Sequence, residues 1–159
     1  MNYKIIEKES FKIVGVKREF SCVNGQNQVE IPKMWNDVHA DGTNDLLFQL
    51  NTGQIKGVLG VCVDKRDSQS QLMDYWIATD HTGNTPEGLL ELKIPASKWG
   101  VFEVHGAMPD AMQTAWKQIF SEWFPSSQYK HAGTPDLEVY TNGNPSSPDY
   151  YSEIWIPLK

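Results

Sequence analysis

Cysteine is scarce in this chain: Cys22 and Cys62 are the two in 159 residues, with no C-x-x-C spacing. That excludes a disulfide-stapled scaffold and a cysteine-built zinc site, and leaves two reduced thiols as the expectation. Long apolar runs are missing as well. No stretch of about 18 apolar residues exists, which excludes a membrane-spanning helix. Met1-Asn2-Tyr3-Lys4 passes straight into strand-like sequence without the apolar core of a signal peptide, so the expected location is cytoplasmic. Positive charge is in deficit, with 14 Lys and Arg against 20 Asp and Glu and a net charge of −6. A phosphate-binding surface wants a basic stripe, so direct contact with nucleic acid is not expected, and neither is a membrane partner. Signatures of chemistry are absent too. His39, His81, His105 and His131 show no HxH or HExxH spacing, and there is no G-x-S-x-G, phosphate loop or dinucleotide fingerprint. No metal, no cofactor and no catalytic residue is therefore assigned. Cys62, between Val61 and Val63, reads as a core thiol rather than a nucleophile.

What the chain has in quantity is tryptophan, six residues, several of them near acidic side chains. Period-2 alternation predicts strands over 3–7, 11–20, 57–63, 71–79, 89–95, 98–106, 136–140 and 150–159. The two glycines of the third, Gly57 and Gly60, suggest a bulge or a close backbone approach. Helical spacing predicts a helix over 31–40, with Pro32 in its first turn and Ile31, Met34, Trp35 and Val38 as its apolar stripe. A second helix is predicted over 109–124, with Met112, Ala115, Trp116, Ile119, Phe120 and Trp123 on one face. Polar turns fall at 24–27, 65–70, 81–86 and 141–149, and Leu46-Leu47-Phe48 is an unassigned apolar connector. The order is β-β-α-β-β, twice. This predicts one α+β domain over residues 1–159, built from halves of about 1–82 and 87–159 related by a pseudo-twofold axis. The strands would form one antiparallel sheet with two helices on one face and a ligand cleft between the halves.

The most suggestive stretch is the last strand. Side chains alternate across a strand, so Tyr151, Glu153 and Trp155 share one face, and Ile154, Ile156 and Leu158 the other. A carboxylate between aromatic rings suits an apolar cation through charge pairing and cation–π attraction. Asp74-Tyr75-Trp76-Ile77-Ala78 echoes Glu153-Ile154-Trp155-Ile156-Pro157, which places Trp76 like Trp155; a one-residue slip would put Tyr75 there instead. Trp35, Trp116 and Phe120 on the helix stripes and Phe102 on its strand are candidate walls, with plain core packing as the favoured reading.

Three segments carry a family resemblance. Ile94-Pro95-Ala96-Ser97-Lys98-Trp99-Gly100-Val101-Phe102-Glu103-Val104-His105-Gly106, then Pro135-Asp136-Leu137-Glu138-Val139-Tyr140, then Glu153-Ile154-Trp155-Ile156-Pro157 occur in the order and spacing of the GyrI-like, AraC-type effector-binding domains. The chain resembles a stand-alone member of that family, to which the ligand-binding domains of the BmrR and Rob regulators belong. Ser97 stands where the motif usually has Gly, and Trp99-Gly100 where it has Tyr-Ala. The resemblance implies a duplicated ββαβ-type unit, a cleft for aromatic and often cationic small molecules, and a Glu anchor on the last strand, which matches Glu153. It leaves no room for a helix-turn-helix.

Three readings stay open on these grounds. The first is a small-molecule receptor for amphipathic aromatic cations, anchored by Glu153 and walled by Trp155, Tyr151, Trp76, Tyr75, Trp35, Phe102, Trp116 and Phe120, with a link to transcription regulation or to drug sensing and sequestration. The second is a hydrolase of reactive electrophilic small molecules with Glu153 as general base. The third is a protein-interaction role, the inhibition of a DNA-handling enzyme.

Overall fold

The computed structural model describes residues 1–64 and 71–159, so the turn expected over 65–70 lies outside the described residues. Eight strands form one antiparallel sheet: β1 (Tyr3–Lys8), β2 (Phe11–Ser21), β3 (Val58–Asp64), β4 (Leu72–Asp80), β5 (Leu90–Ile94), β6 (Ser97–His105), β7 (Asp136–Tyr140) and β8 (Tyr151–Leu158). Their order across the sheet is β1-β6-β8-β7-β3-β4-β2-β5. The two halves meet where β3 pairs with β7, and each half lends its first strand to the other: β1 pairs with β6, and β5 with β2.

That exchange dictates the shape. Only Glu9 and Ser10 join β1 to β2, and only Pro95 and Ala96 join β5 to β6. In the strand order each pair stands six places apart, nearly 30 Å in a flat sheet at about 4.8 Å per strand. A two-residue connector reaches at most about 11 Å. The sheet must therefore twist and curl until its edges approach one another, although no β1–β5 ladder forms and it stays open. The inside of the curl is a core of its own. Ile13, Leu59, Val61, Trp76, Ala78, Ile94, Trp99, Val101, Leu137, Val139 and Trp155 are buried there, joined by Ile6 and Leu92 from the two opposite edge strands.

The helices all pack on the other face. They are α1 (Gln26–Ala40), α2 (Thr43–Leu50) and α3 (Asp110–Gln118), the last continuing through a wide turn (Ile119–Trp123) to Ser126. Met34, Val38 and Leu47 of α1 and α2 cover Val58, Met73, Tyr75 and Ile77. Met112, Ala115 and Ile119 cover Phe102, Val104, Ile154 and Ile156.

Three expectations are corrected. The described residues form three helices, not two: the Leu46-Leu47-Phe48 connector is α2, begun after Gly42 in a left-handed conformation (φ 87°) and held at its start by Asp41 Oδ1 accepting from the Thr43 N–H. Helix α1 begins five residues early, after Asn24 and Gly25 at positive φ, so Pro32 lies well inside it. The run from α3 passes through Pro125 rather than stopping before it.

Candidate functional site: an aromatic cavity around a buried glutamate

Between the helices and the middle of the sheet lies a cavity of about 880 Å³. Strand alternation on β7 sets its floor. Leu137 and Val139 point into the curled core, so Asp136, Glu138 and Tyr140 point toward the helices and line the cavity. Glu138 is only 8% exposed. Its cross-strand neighbours are Gly60 on β3 and Ile154 on β8. Gly60 is a requirement of geometry: a Cβ there would sit 2.1 Å from the Tyr75 hydroxyl and 2.7 Å from Glu138 Oε1. Its bare backbone lets Tyr75, one strand further out on β4, reach across β3 to the carboxylate.

Among the described residues every hydrogen bond to the Glu138 carboxylate comes from a neutral aromatic side chain. Tyr75 Oη donates to Oε1 at 2.7 Å and Tyr140 Oη donates to the same oxygen at 3.0 Å. Trp116 Nε1, from α3, donates to Oε2 at 2.7 Å. Trp35 Nε1, from α1, donates to the Tyr75 hydroxyl at 3.0 Å, and its ring meets Tyr140 edge-on at 4.6 Å. Among the described residues no Lys or Arg pairs with Glu138. Burial pushes the Glu138 carboxyl above the usual carboxylate range; the three hydrogen bonds oppose that and the Asp136 charge adds to it. Burial, and then the Glu138 charge, hold Tyr75 and Tyr140 well above the ordinary phenol range, so both remain donors.

A second carboxylate lies two residues along. Asp136 Oδ2 accepts from His131 Nε2 at 3.2 Å. His131 Nδ1 accepts the Gly133 backbone N–H at 2.9 Å, which holds the ring with Nε2 toward Asp136. Burial raises the Asp136 carboxyl, against the lowering effect of His131. Among the described residues Asp45 and Asp64 also line the cavity, against a single Lys117. Cys62 faces Asp136 across the ladder; burial, reinforced by these acids, pushes its thiol well up and leaves it a poor nucleophile.

Three of the sequence-predicted residues meet here: Trp35, Tyr75 and Trp116 line the cavity. The others do not. Glu153, the expected anchor, pairs across the ladder with Glu103 and Val139, which puts it on the face opposite the helices. There Tyr151 Oη and Trp155 Nε1 donate to its two oxygens at 2.6 and 3.0 Å. Trp155 and Trp76 belong to the curled core, so the echo between the two segments is real but marks the wrong face, and Tyr75 is the one that turns to the cavity. Phe102 is fully buried beneath α3. Phe120 stands 52% exposed on the flank of the helical run, stacked on Trp116 at 5.8 Å. Sequence reasoning missed Glu138, Asp136 and Tyr140, although all three lie within a motif it singled out. The available signal was their shared face, with two acids and a phenol alternating with Leu137 and Val139.

A family model described as Cass2, integron-associated effector binding protein, matches residues 4–158. The chain belongs to this effector-binding family, as the GyrI-like motifs imply. Among solved structures it is similar to SAV2435, recorded bound to tetraphenylphosphonium, at 28% identity and a TM-score of 0.89, covering all of this chain and 94% of that one. A putative bacterial transcription regulation protein from Staphylococcus aureus MU50 is 29% identical, with a TM-score of 0.85 and coverage of 100% and 99%. The integron cassette protein VCH_CASS2 from the mobile metagenome of Vibrio cholerae, at 17% identity and a TM-score of 0.71 over 99% and 95%, shares the fold. No curated protein matches.

Proposed function

We propose that this protein is a receptor for amphipathic aromatic cations, with Glu138 as the electrostatic anchor and Trp35, Tyr75, Trp116 and Tyr140 as the walls. One observation carries the reading: among the described residues, the partners of this buried carboxylate are all neutral aromatic donors, and it has no counter-ion. Holding such a charge away from water is costly, and an apolar cation relieves that cost while its rings fill the cavity. A neutral ligand of the same shape gains the apolar contact only. The tetraphenylphosphonium held by the similar protein SAV2435 is a cation of this kind. Capture of such a ligand suits sensing or sequestration, and a regulatory output would pass through a further partner.

The test is tryptophan fluorescence during titration with tetraphenylphosphonium and with neutral tetraphenylmethane-type analogues made soluble. Trp35 and Trp116 line the cavity and report its occupancy. The cation is expected to quench saturably, and Glu138→Gln to weaken it by about 1–3 kcal/mol, the scale of a charge-assisted contact, with little effect on neutral analogues. Equal losses for both classes would remove the anchor role from Glu138.

A further inference from the structure

The cavity holds more carboxylates than a single-charge ligand needs, Asp136 foremost among them. Asp136 and Glu138 are two residues apart on β7, project from the same face and line the same cavity. At about 3.3 Å of rise per residue their origins on the strand are about 7 Å apart. Neither is paired with Lys or Arg among the described residues. Among the described residues the one N–H partner of Asp136 is His131, which the Gly133 N–H holds at Nδ1, so the ring orients the carboxylate through Oδ2. Asp136 is also underfilled: Oδ1 is buried without a partner at hydrogen-bond distance, and among the described residues the carboxyl gains, besides His131, only the weak donor of the Cys62 thiol across the ladder. Buried carboxylate oxygens ordinarily have a partner, so an orphan beside a ligand cavity points to a group that is not part of the chain.

We propose that Asp136 is a second recognition point, and that the preferred ligands are aromatic dications whose second positive group bears N–H and lies about 7 Å from the first. This rests on the receptor reading above and narrows its ligand class. The first charge lies among the rings at Glu138. The second enters between Asp136 and Asp64, and its N–H completes Oδ1. Because Oδ1 is enclosed, a slim ammonium or amidinium reaches it and a bulky quaternary head does not.

The test uses three phosphonium probes with one core: benzyltriphenylphosphonium carrying a para methyl, aminomethyl or trimethylammoniomethyl group. Each is titrated against the wild-type protein and Asp136→Asn by tryptophan fluorescence. In the wild type the protonated aminomethyl probe is expected to bind at least about tenfold tighter than the methyl probe, and the trimethylammonio probe to gain less. In Asp136→Asn the side-chain oxygen keeps its bond from His131 and the amide turns a donor toward the cavity. The aminomethyl advantage then disappears while the methyl probe stays within about threefold, which also reports that the variant is folded. Equal wild-type affinity for the methyl and aminomethyl probes would overturn the proposal, and so would an advantage that survives Asp136→Asn or a trimethylammonio gain as large as the aminomethyl one. Should Asp136→Asn not fold, the three wild-type affinities decide alone. If only the second point fails, the methyl probe still binds; if no probe binds, the receptor reading falls with it.

Discussion

At the scale of single residues, Glu138 and Glu153 show how similar surroundings lead to different roles. Each carboxylate accepts from a Tyr hydroxyl and a Trp N–H. Glu138 also faces the cavity, and burial above all raises its pKa. The sign of the consequence follows. A quaternary cation prefers the ionised form and does not itself titrate, so its affinity should fall as pH is lowered through the raised Glu138 pKa. That loss begins at a higher pH than an ordinary carboxylate would give, and Asp136, Tyr75, Tyr140 and Cys62 are the titratable groups in contact with or coupled to Glu138. Fluorescence titration of tetraphenylphosphonium against pH checks this, and Glu138→Gln should flatten the profile. Without ligand the linkage runs the other way. A group whose folded pKa is raised contributes stability at low pH, and the contribution is lost as pH rises through the folded pKa. Glu138→Gln should therefore hold or raise the urea midpoint at neutral pH while it weakens binding, as substitutions at strained functional sites often do. A clear fall in the midpoint would mean that the carboxylate is part of the structural core rather than a charge held for a ligand.

At the scale of elements, the site depends on β3 being thin where Tyr75 crosses it. Gly60→Ala places a methyl group within 2.1 Å of the Tyr75 hydroxyl and 2.7 Å of Glu138 Oε1, so the hydrogen bond between them must break or shift. The expected result is a loss of about 1–3 kcal/mol in urea unfolding and at least a tenfold loss of affinity for the cation. A variant with wild-type affinity would show that Tyr75 is dispensable to the anchor. A companion change, Trp116→Phe, keeps the ring and removes only the N–H to Oε2, so affinity should change more than stability. Gly60 was legible in the sequence as a bulge or a close approach, and so were the strands along the chain, because alternation is a local signal. Helix α2 was not. It has eight residues, and its apolar side chains Leu46, Leu47 and Phe48 run consecutively instead of recurring at helical spacing. The start of α1 was hidden because Asn24-Gly25 reads as a turn and Gln26-Asn27-Gln28 carries no apolar stripe. The site failed for a different reason. Alternation says that Tyr151, Glu153 and Trp155 share a face, and they do, but which face holds the cavity is decided by where three helices pack. Two strands, β7 and β8, each carry an acid among aromatics, and only tertiary packing separates them.

At the scale of the whole molecule, the two faces of the sheet do different work. The curl required by the two-residue connectors encloses Trp76, Trp99 and Trp155, with the Trp99 and Trp155 rings 5.8 Å apart, and none of the three lines the cavity. The helix face carries the cavity, whose indoles Trp116 and Trp35 donate to Glu138 and to the Tyr75 hydroxyl bound to it. Stability and binding should therefore separate by face. Trp99 has no exposed surface, so Trp99→Ala should cost about 3–5 kcal/mol in urea unfolding. A domain of ordinary stability, about 5–15 kcal/mol, survives that loss. In the folded fraction at low urea, cation affinity should stay within about threefold of wild type, and the loss should add to that of Glu138→Gln, since the two sites share no partner. Trp99→Phe serves as a milder probe: it gives up volume but also removes an indole N–H that is buried without a partner, so its cost should be well below that of the alanine. If either variant stays folded yet loses the cation tenfold, the curled core sets the width of the cavity through the shared backbone of β3 and β7. The faces would then be coupled, and ligand binding should in turn protect the amides of β1 and β5 from hydrogen exchange. If affinity holds, the curled core is a rigid support whose only task is to keep β3, β7 and β4 in register beneath the carboxylate.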